Sequence, residues 1–386
     1  MTTKNRLFAV MATSFVLLGM PIAAMGVAWP SAAEDLGRTI GELGLVTFSY
    51  GAGYTVSTLV SGELTRRFTT GPLLVVAAFA AAGSLVVLTL TSIWAPFLGA
   101  MFLLGVAGGL LDSGVNAYVA VHRGARSMGI IHTGFGLGSA IGPLFVTVLL
   151  AAGLSWRIAF ASLATADLLL AVAFVTTVGA LDRTNRRSGD RPTVDGKGVI
   201  LGLSVTVFFL YAGVAAGTGA WAFSLLTEGR GISTGIAGLA VAGYWGAMTV
   251  SRLALGILGD RIDPRRALTV SGTATVASLL VLWIASPPWL GLVALIFSGF
   301  AHGSVFPLEM LLTARRFGAT YTPWAVGYEI AGANIGVAVV SGGIGLLVSR
   351  WDIAVVAPVL FLVSVMLLAA IEALRFRSAA QPIASI

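Results

Sequence analysis

The chain contains no cysteine and only three histidines, His122, His132 and His302. The first absence removes disulfides, thiolate metal sites and thiol chemistry. The second leaves too few imidazoles for a multi-histidine metal centre. Charge is scarce as well: Asp, Glu, Lys and Arg make up 10% of the 386 residues, against about 25% in an ordinary soluble domain. There is no Gly-x4-Gly-Lys-Ser/Thr loop to cradle nucleotide phosphates, and no His-Glu-x-x-His helix. The short glycine-rich runs lie inside apolar stretches and precede no βαβ unit, so they read as helix-packing glycines. These absences point away from an enzyme and from any cofactor or metal.

What the chain does have is apolar surface. Hydrophobic residues make up 57% of it, and the mean hydropathy is +0.95. Stretches long enough to cross a bilayer core, about 20 residues each, recur from end to end. Read between charged and Pro/Gly punctuation, they predict twelve spans, at 7–29, 42–64, 72–93, 96–121, 128–152, 157–180, 199–225, 236–258, 266–285, 289–313, 324–348 and 353–374. Each must be helical, because a segment in hydrocarbon has to satisfy its own backbone hydrogen bonds. Barrel strands would instead alternate apolar and polar residues. The first segment is longer than a signal-peptide core, and Trp29-Pro30-Ser31 is a poor cleavage site, so it reads as a retained span.

The net charge of +7 and pI near 10.2 are read as affinity for anionic lipid rather than nucleic acid. Eighteen Lys and Arg fall in one set of loops and only Arg38, Arg157, Arg230 and Arg350 in the other, with Arg252 inside a span. That asymmetry places both termini in the cytoplasm and the chain in the cell membrane. The polar, basic stretch 181–197 predicts a cytoplasmic linker between two six-helix halves, 1–180 and 198–386. A shift of 194 residues lays Thr55-Val56-Ser57 on Thr249-Val250-Ser251, and Gly105 and Gly109 on Gly299 and Gly303. It also lays Gly138 and Gly142 on Gly332 and Gly336. A duplicated six-span unit is the pattern of secondary transporters with a midplane site.

At this point the chain resembles a known family. Gly256-Ile257-Leu258-Gly259-Asp260-Arg261, followed by Arg265-Arg266, is similar to the signature loop of the major facilitator superfamily. The first-half copy, Gly62-Glu63-Leu64-Thr65-Arg66-Arg67, departs from it: Arg66 stands where the acid belongs. The resemblance implies an all-α membrane fold of twelve helices in two pseudo-symmetric halves. It also implies a cytoplasmic gate built from Arg66, Arg67, Asp260, Arg261 and Arg265. Asp260 would face the partially positive N-terminus of span 5. Glu329, near the cytoplasmic end of span 11, is read as part of that gate, paired with Arg252 or a gate arginine. A narrower resemblance, to the fucose:proton symporter branch, is carried by the run Gly105 to Ala117, by Tyr211-Ala212-Gly213 with Trp221, and by Gly303-Ser304-Val305-Phe306-Pro307. Ala215 and Ala216 stand where that branch often has an acid.

Asp112 carries the most chemistry. A charge in mid-span costs ~2.5–3.5 kcal/mol on insertion scales and persists only where it faces protein or water. Asn116, four residues on, shares its helix face. Asp112 is therefore the expected proton-coupling residue. Asn116, His132, Tyr211, Trp221, His302, Asn334, Tyr50 and Tyr244 are the expected substrate contacts, and Trp221 is also a candidate to close the outer side. Glu309 is expected to pair with Arg315 or Arg316, and Asp167 has no assigned partner. The predicted function is proton-coupled symport of a small polar, sugar-like solute by a monomer. The alternatives are a proton-coupled exporter of amphipathic compounds and a non-transporting membrane receptor on the same scaffold.

Overall fold

The structure is a computed structural model, and it describes residues 3–68, 70–122, 125–177, 198–258 and 262–379. Twelve α-helices and two short 3₁₀ turns account for most of these residues, and no strand occurs among them. By contacts the chain divides into two units, Met1–Ser188 and Gly189–Ile386. The first holds α1 (Thr3–Asp35), α2 (Leu43–Phe68), α3 (Thr70–Leu90), α4 (Trp94–His122), α5 (Ala125–Ala151) and α6 (Trp156–Thr177). The second holds α7 (Gly198–Thr227), α8 (Thr234–Leu258), α9 (Pro264–Ile284), α10 (Pro288–Gly303), α11 (Val305–Arg350) and α12 (Val356–Ala379). The expected linker, 181–197, lies outside the described residues.

Ten helical stretches among the described residues are long and apolar enough to cross a membrane. Their outer surfaces suit lipid: Leu90, Leu103, Leu169, Val270 and Leu346 are all exposed. The two helices that do not qualify, α2 and α8, are richer in polar side chains. They include Tyr50, Tyr54, Ser57 and Thr58 on α2, and Tyr244, Thr249, Ser251 and Arg252 on α8.

The tenth and eleventh predicted segments, 289–313 and 324–348, match two apolar helical stretches of the structure, with one further interruption that the sequence did not announce. α10 stops at Gly303, and helix resumes at Val305 for 46 residues. At 1.5 Å per residue such a helix would be about 69 Å long, more than twice a bilayer core of about 30 Å. It is not one straight rod. Gly318 adopts φ 72° and ψ 170°, which only glycine does without strain, and it breaks α11 into two arms. The stretches long and apolar enough to span are therefore Pro288–Gly318 and Ala325–Arg350. The earlier interruption, at Ser304, has its own cause. Pro307 lacks an N–H, and its ring crowds the carbonyl four residues back, at Gly303.

The two units pair their helices in the same way. α1 packs on α5, α2 on α4 and α3 on both α4 and α6; correspondingly α7 packs on α11, α8 on α10, and α9 on both α10 and α12. Backbones touch where these pairs cross. A Cβ on Gly105 of α4 would collide with the Tyr50 carbonyl of α2, and one on Gly299 of α10 with the Tyr244 carbonyl of α8. These four positions are related by the 194-residue shift. Gly138 meets the Val16 carbonyl across α1 and α5, and Gly336 meets the Phe209 carbonyl across α7 and α11. At one end of the first unit, Arg157 donates to the Thr89 and Thr91 carbonyls at 2.7 and 2.9 Å and reaches Asp35. This arginine ties three helices together rather than standing free.

Gly105→Ala is expected to lower the thermal unfolding temperature in detergent, at a cost of about 1–3 kcal/mol, as overpacking does. Gly99→Ala on the same helix, where an added Cβ meets nothing within 4 Å, is expected to leave it unchanged or slightly raised.

Candidate functional site

Two polar groups inside the helices, one in each unit, hold most of the expected site residues. In the first, α4 presents Asp112 and Asn116 one turn apart, and the Asn116 amide donates to Asp112 Oδ1 at 2.8 Å. The Tyr54 hydroxyl of α2 bonds the same carboxylate. The Tyr50 ring lies 6.0 Å from the Tyr54 ring, at 44°. The glycines of α4 make this possible. With no side chains at Gly105, Gly108 and Gly109, α2 comes close enough for both tyrosines to lie against α4. No ion pair holds Asp112 among the described residues. Its three neighbours are neutral, so the acid can take up or release a proton without breaking a salt bridge. Asn116 Oδ1 is buried without a partner.

Asp167 of α6 also belongs to this region. It is buried and lines a cavity of about 10 Å³ together with Tyr50, Gly108, Leu17 and Pro21. That is about the least room that holds one water. His132, on α5, sets its ring edge-on against Phe15 at 5.5 Å.

The polar group of the second unit is built from α7, α8 and α10. The Tyr211 and His302 rings stack at 4.4 Å and 7°, and His302 Nε2 lies 2.9 Å from the Tyr211 carbonyl. The Tyr211 hydroxyl accepts from Arg252 Nη2 at 3.0 Å. Arg252 Nε donates to the Gly303 carbonyl at 3.3 Å, the same carbonyl whose helical partner Pro307 removes. The arginine thus caps a gap that the proline opens. No ion pair involves Arg252 among the described residues. A guanidinium among neutral groups retains its capacity to bind an acceptor from a ligand.

The other expected positions have partners or surroundings of their own. The sequence puts Trp221 against substrate; the structure buries it completely, with Nε1 on the Ser341 carbonyl at 3.2 Å, joining α7 to α11. Tyr244 is buried and donates to the Ala215 carbonyl at 3.2 Å. Asn334 is half-buried, its amide nitrogen unpartnered. Arg252 does not pair with Glu329. The arginine sits at Tyr211, while Glu329 takes the hydroxyls of Ser204 and Thr313. Glu309 pairs with Arg316 at 2.6 Å, as its spacing suggests. Arg265 starts α9, its amide capped by Asp263 at 3.0 Å, and its side chain lines a cleft with Arg316 and Arg375. Arg67 is exposed. Asp260, Arg261 and the Arg66 side chain lie outside the described residues. Two pairings were not foreseen in the sequence. Tyr54 is the partner of Asp112, and Arg252 belongs to the Tyr211 group; the signal for Arg252 was its charge inside a span.

The paired glycine contacts, twelve helices and intramembrane polar groups agree with a comparison across known families. A profile described as Major Facilitator Superfamily matches residues 11–229 and again 203–384. The chain belongs to this superfamily. It is 21% identical over 345 residues to the glucose/mannose transporter GlcP of Bacillus subtilis, covering 86% of this chain and 85% of GlcP. Among solved structures it superposes on a D-xylose-proton symporter with TM-score 0.76 at 16% identity, over 96% of this chain and 97% of that one. The E. coli fucose:proton symporter FucP gives TM-score 0.63 at 16% identity, over 97% and 98%. At these identities the structural likeness speaks for the fold.

Trp221→Phe is expected to lower thermal stability by about 1–3 kcal/mol, by stranding buried polar groups of Ser341, and to leave solute affinity near wild type. Tyr211→Phe, which removes only the hydroxyl facing Arg252, is expected to weaken solute binding with little change in unfolding temperature. Unfolding curves with and without solute separate the two.

Proposed function

We propose that the chain is a secondary transporter that carries a small polar, sugar-like solute across the cell membrane in symport with protons. The observation that carries this reading is Asp112, an acid within an apolar helix held only by neutral groups, Asn116 and Tyr54. An intramembrane acid is costly and marks a proton or substrate path. With no basic partner, its charge state is free to follow solute and conformation. Hydrogen-bonding groups suited to a polyol are also present: Arg252 with Tyr211 in the second unit, and Asn116 Oδ1 in the first. The names of the relatives, sugar transporters and proton symporters, support the same reading.

In this proposal all twelve helices span, α2 and α8 included, with their polar faces turned to protein. Arginine and lysine asymmetry supports cytoplasmic termini. The six-helix halves 1–180 and 198–386, joined by 181–197, alternate access to the two sides of the membrane. Asp112 binds the coupling proton; Asn116, Tyr211, His302 and Arg252 contact solute.

The test is the internal pH of proteoliposomes on addition of a panel of hexoses, pentoses and nucleosides. The wild type is expected to acidify with its solute. Asp112→Asn is expected to lose uphill uptake at least tenfold while retaining solute counterflow. Undiminished proton-driven uptake by a normally folded Asp112→Asn would remove the proposed coupling role.

A further inference from the structure

A third polar cluster lies apart from both groups, where α7 meets the two arms of α11. Glu329, on the second arm, is fully buried. Its Oε1 accepts hydrogen bonds from the Ser204 hydroxyl of α7 and, at 2.8 Å, from the Thr313 hydroxyl of the first arm. Its Oε2 has no partner. Glu309, on the first arm, is equally buried. Its Oε2 takes Arg316 at 2.6 Å, and its Oε1 is also without a partner. Glu309 and Arg316 both act electrostatically on Glu329.

Counting charges makes the cluster unusual. Among the described residues, two carboxylates share one guanidinium, which leaves one negative charge in excess. Of the other charged groups nearby, Arg315 is exposed and none bonds either orphan oxygen. Arg252 of α8 is on Tyr211. Arg375 of α12 is on Glu372. Arg265 of α9 lines a cleft with Arg316 and Arg375 that does not include Glu329. An excess buried charge without a partner is strongly disfavoured, and such a group neutralises instead. A metal ion would need several oxygen ligands and space. The two orphan oxygens are closed off from water-sized contact. A proton needs neither.

We propose that Glu329 is a second proton-binding site of this chain, protonated while it is packed against Ser204 and Thr313. The proton removes the excess charge and leaves Oε1 to accept the two hydroxyls. The backbone break at Gly318 lies between the residues that make the site, Thr313 on one arm and Glu329 on the other. Any movement that separates the arms, or lifts α7 away, admits water to the acid and releases the proton. The use of this proton in transport rests on the reading above; its presence does not.

The test is infrared spectroscopy of the full chain in lipid vesicles, with glutamate carboxyls labelled by carbon-13 so that they separate from aspartates. At neutral pH the wild type is expected to show an isotope-shifted carboxylic-acid carbonyl band, and Glu329→Gln to lose it. A folded wild type with no such band, or a band that survives in Glu329→Gln, overturns the proposal. Should Glu329→Gln fail to fold, Ser204→Ala serves: the loss of one donor to the carbonyl is expected to move the band to higher frequency, and an unmoved band overturns the assignment. These outcomes do not depend on solute, so failure of the transport reading and failure of this one are told apart.

Discussion

Direct contact between helix backbones is the constraint on which both polar groups depend. In lipid there is little hydrophobic drive between helices, so they associate through close packing at small residues. Here the contact is glycine against carbonyl, Gly105 on Tyr50 and Gly299 on Tyr244. Once these pairs are seated, the side chains that follow have little freedom. α2 must lay Tyr50 and Tyr54 along α4 beside Asp112. α8 must bring Arg252 to the stretch of α10 that holds His302 and Gly303.

The two units then use the same geometry for opposite electrostatics. In the first, an acid is surrounded by neutral donors; in the second, a guanidinium is surrounded by neutral acceptors. Neither is locked in an ion pair among the described residues, and each stays able to exchange partners. The buried Glu309–Arg316 pair is the contrast. It is saturated on one side by a short charge-assisted bond, and its chemistry has passed to the neighbouring Glu329.

Much of this was legible in the amino-acid sequence. The apolar stretches carried the helices, and the 194-residue coincidences marked Gly105 with Gly299 and Gly109 with Gly303, the residues where backbones meet. Asp112 stood out because a charge in an apolar helix demands a reason. The break at Gly318 fell in the gap between the tenth and eleventh predicted segments, but the interruption at Ser304 was not legible, because Pro307 acts through backbone geometry that leaves hydropathy unchanged. The partner of Trp221 was not legible for a different cause: its indole N–H finds Ser341, 120 positions away, and no local pattern announces such a partner. The same holds for Glu329, whose nearness to a basic cluster suggested a gate latch. Its actual partners, Ser204 and Thr313, are hydroxyls of the kind found on every helix.

Pro307 and Arg252 lie 55 positions apart and meet at a single atom, the Gly303 carbonyl oxygen. The proline takes away that oxygen's helical partner, and the arginine replaces it. Neither residue is well suited to hydrocarbon alone: the first leaves an acceptor bare, and the second brings a charge. Together they are compatible, which makes each conditional on the other. Descendants of this chain that restore an amide at position 307 relieve the need for a cation at 252. The two positions are therefore expected to change together across evolution.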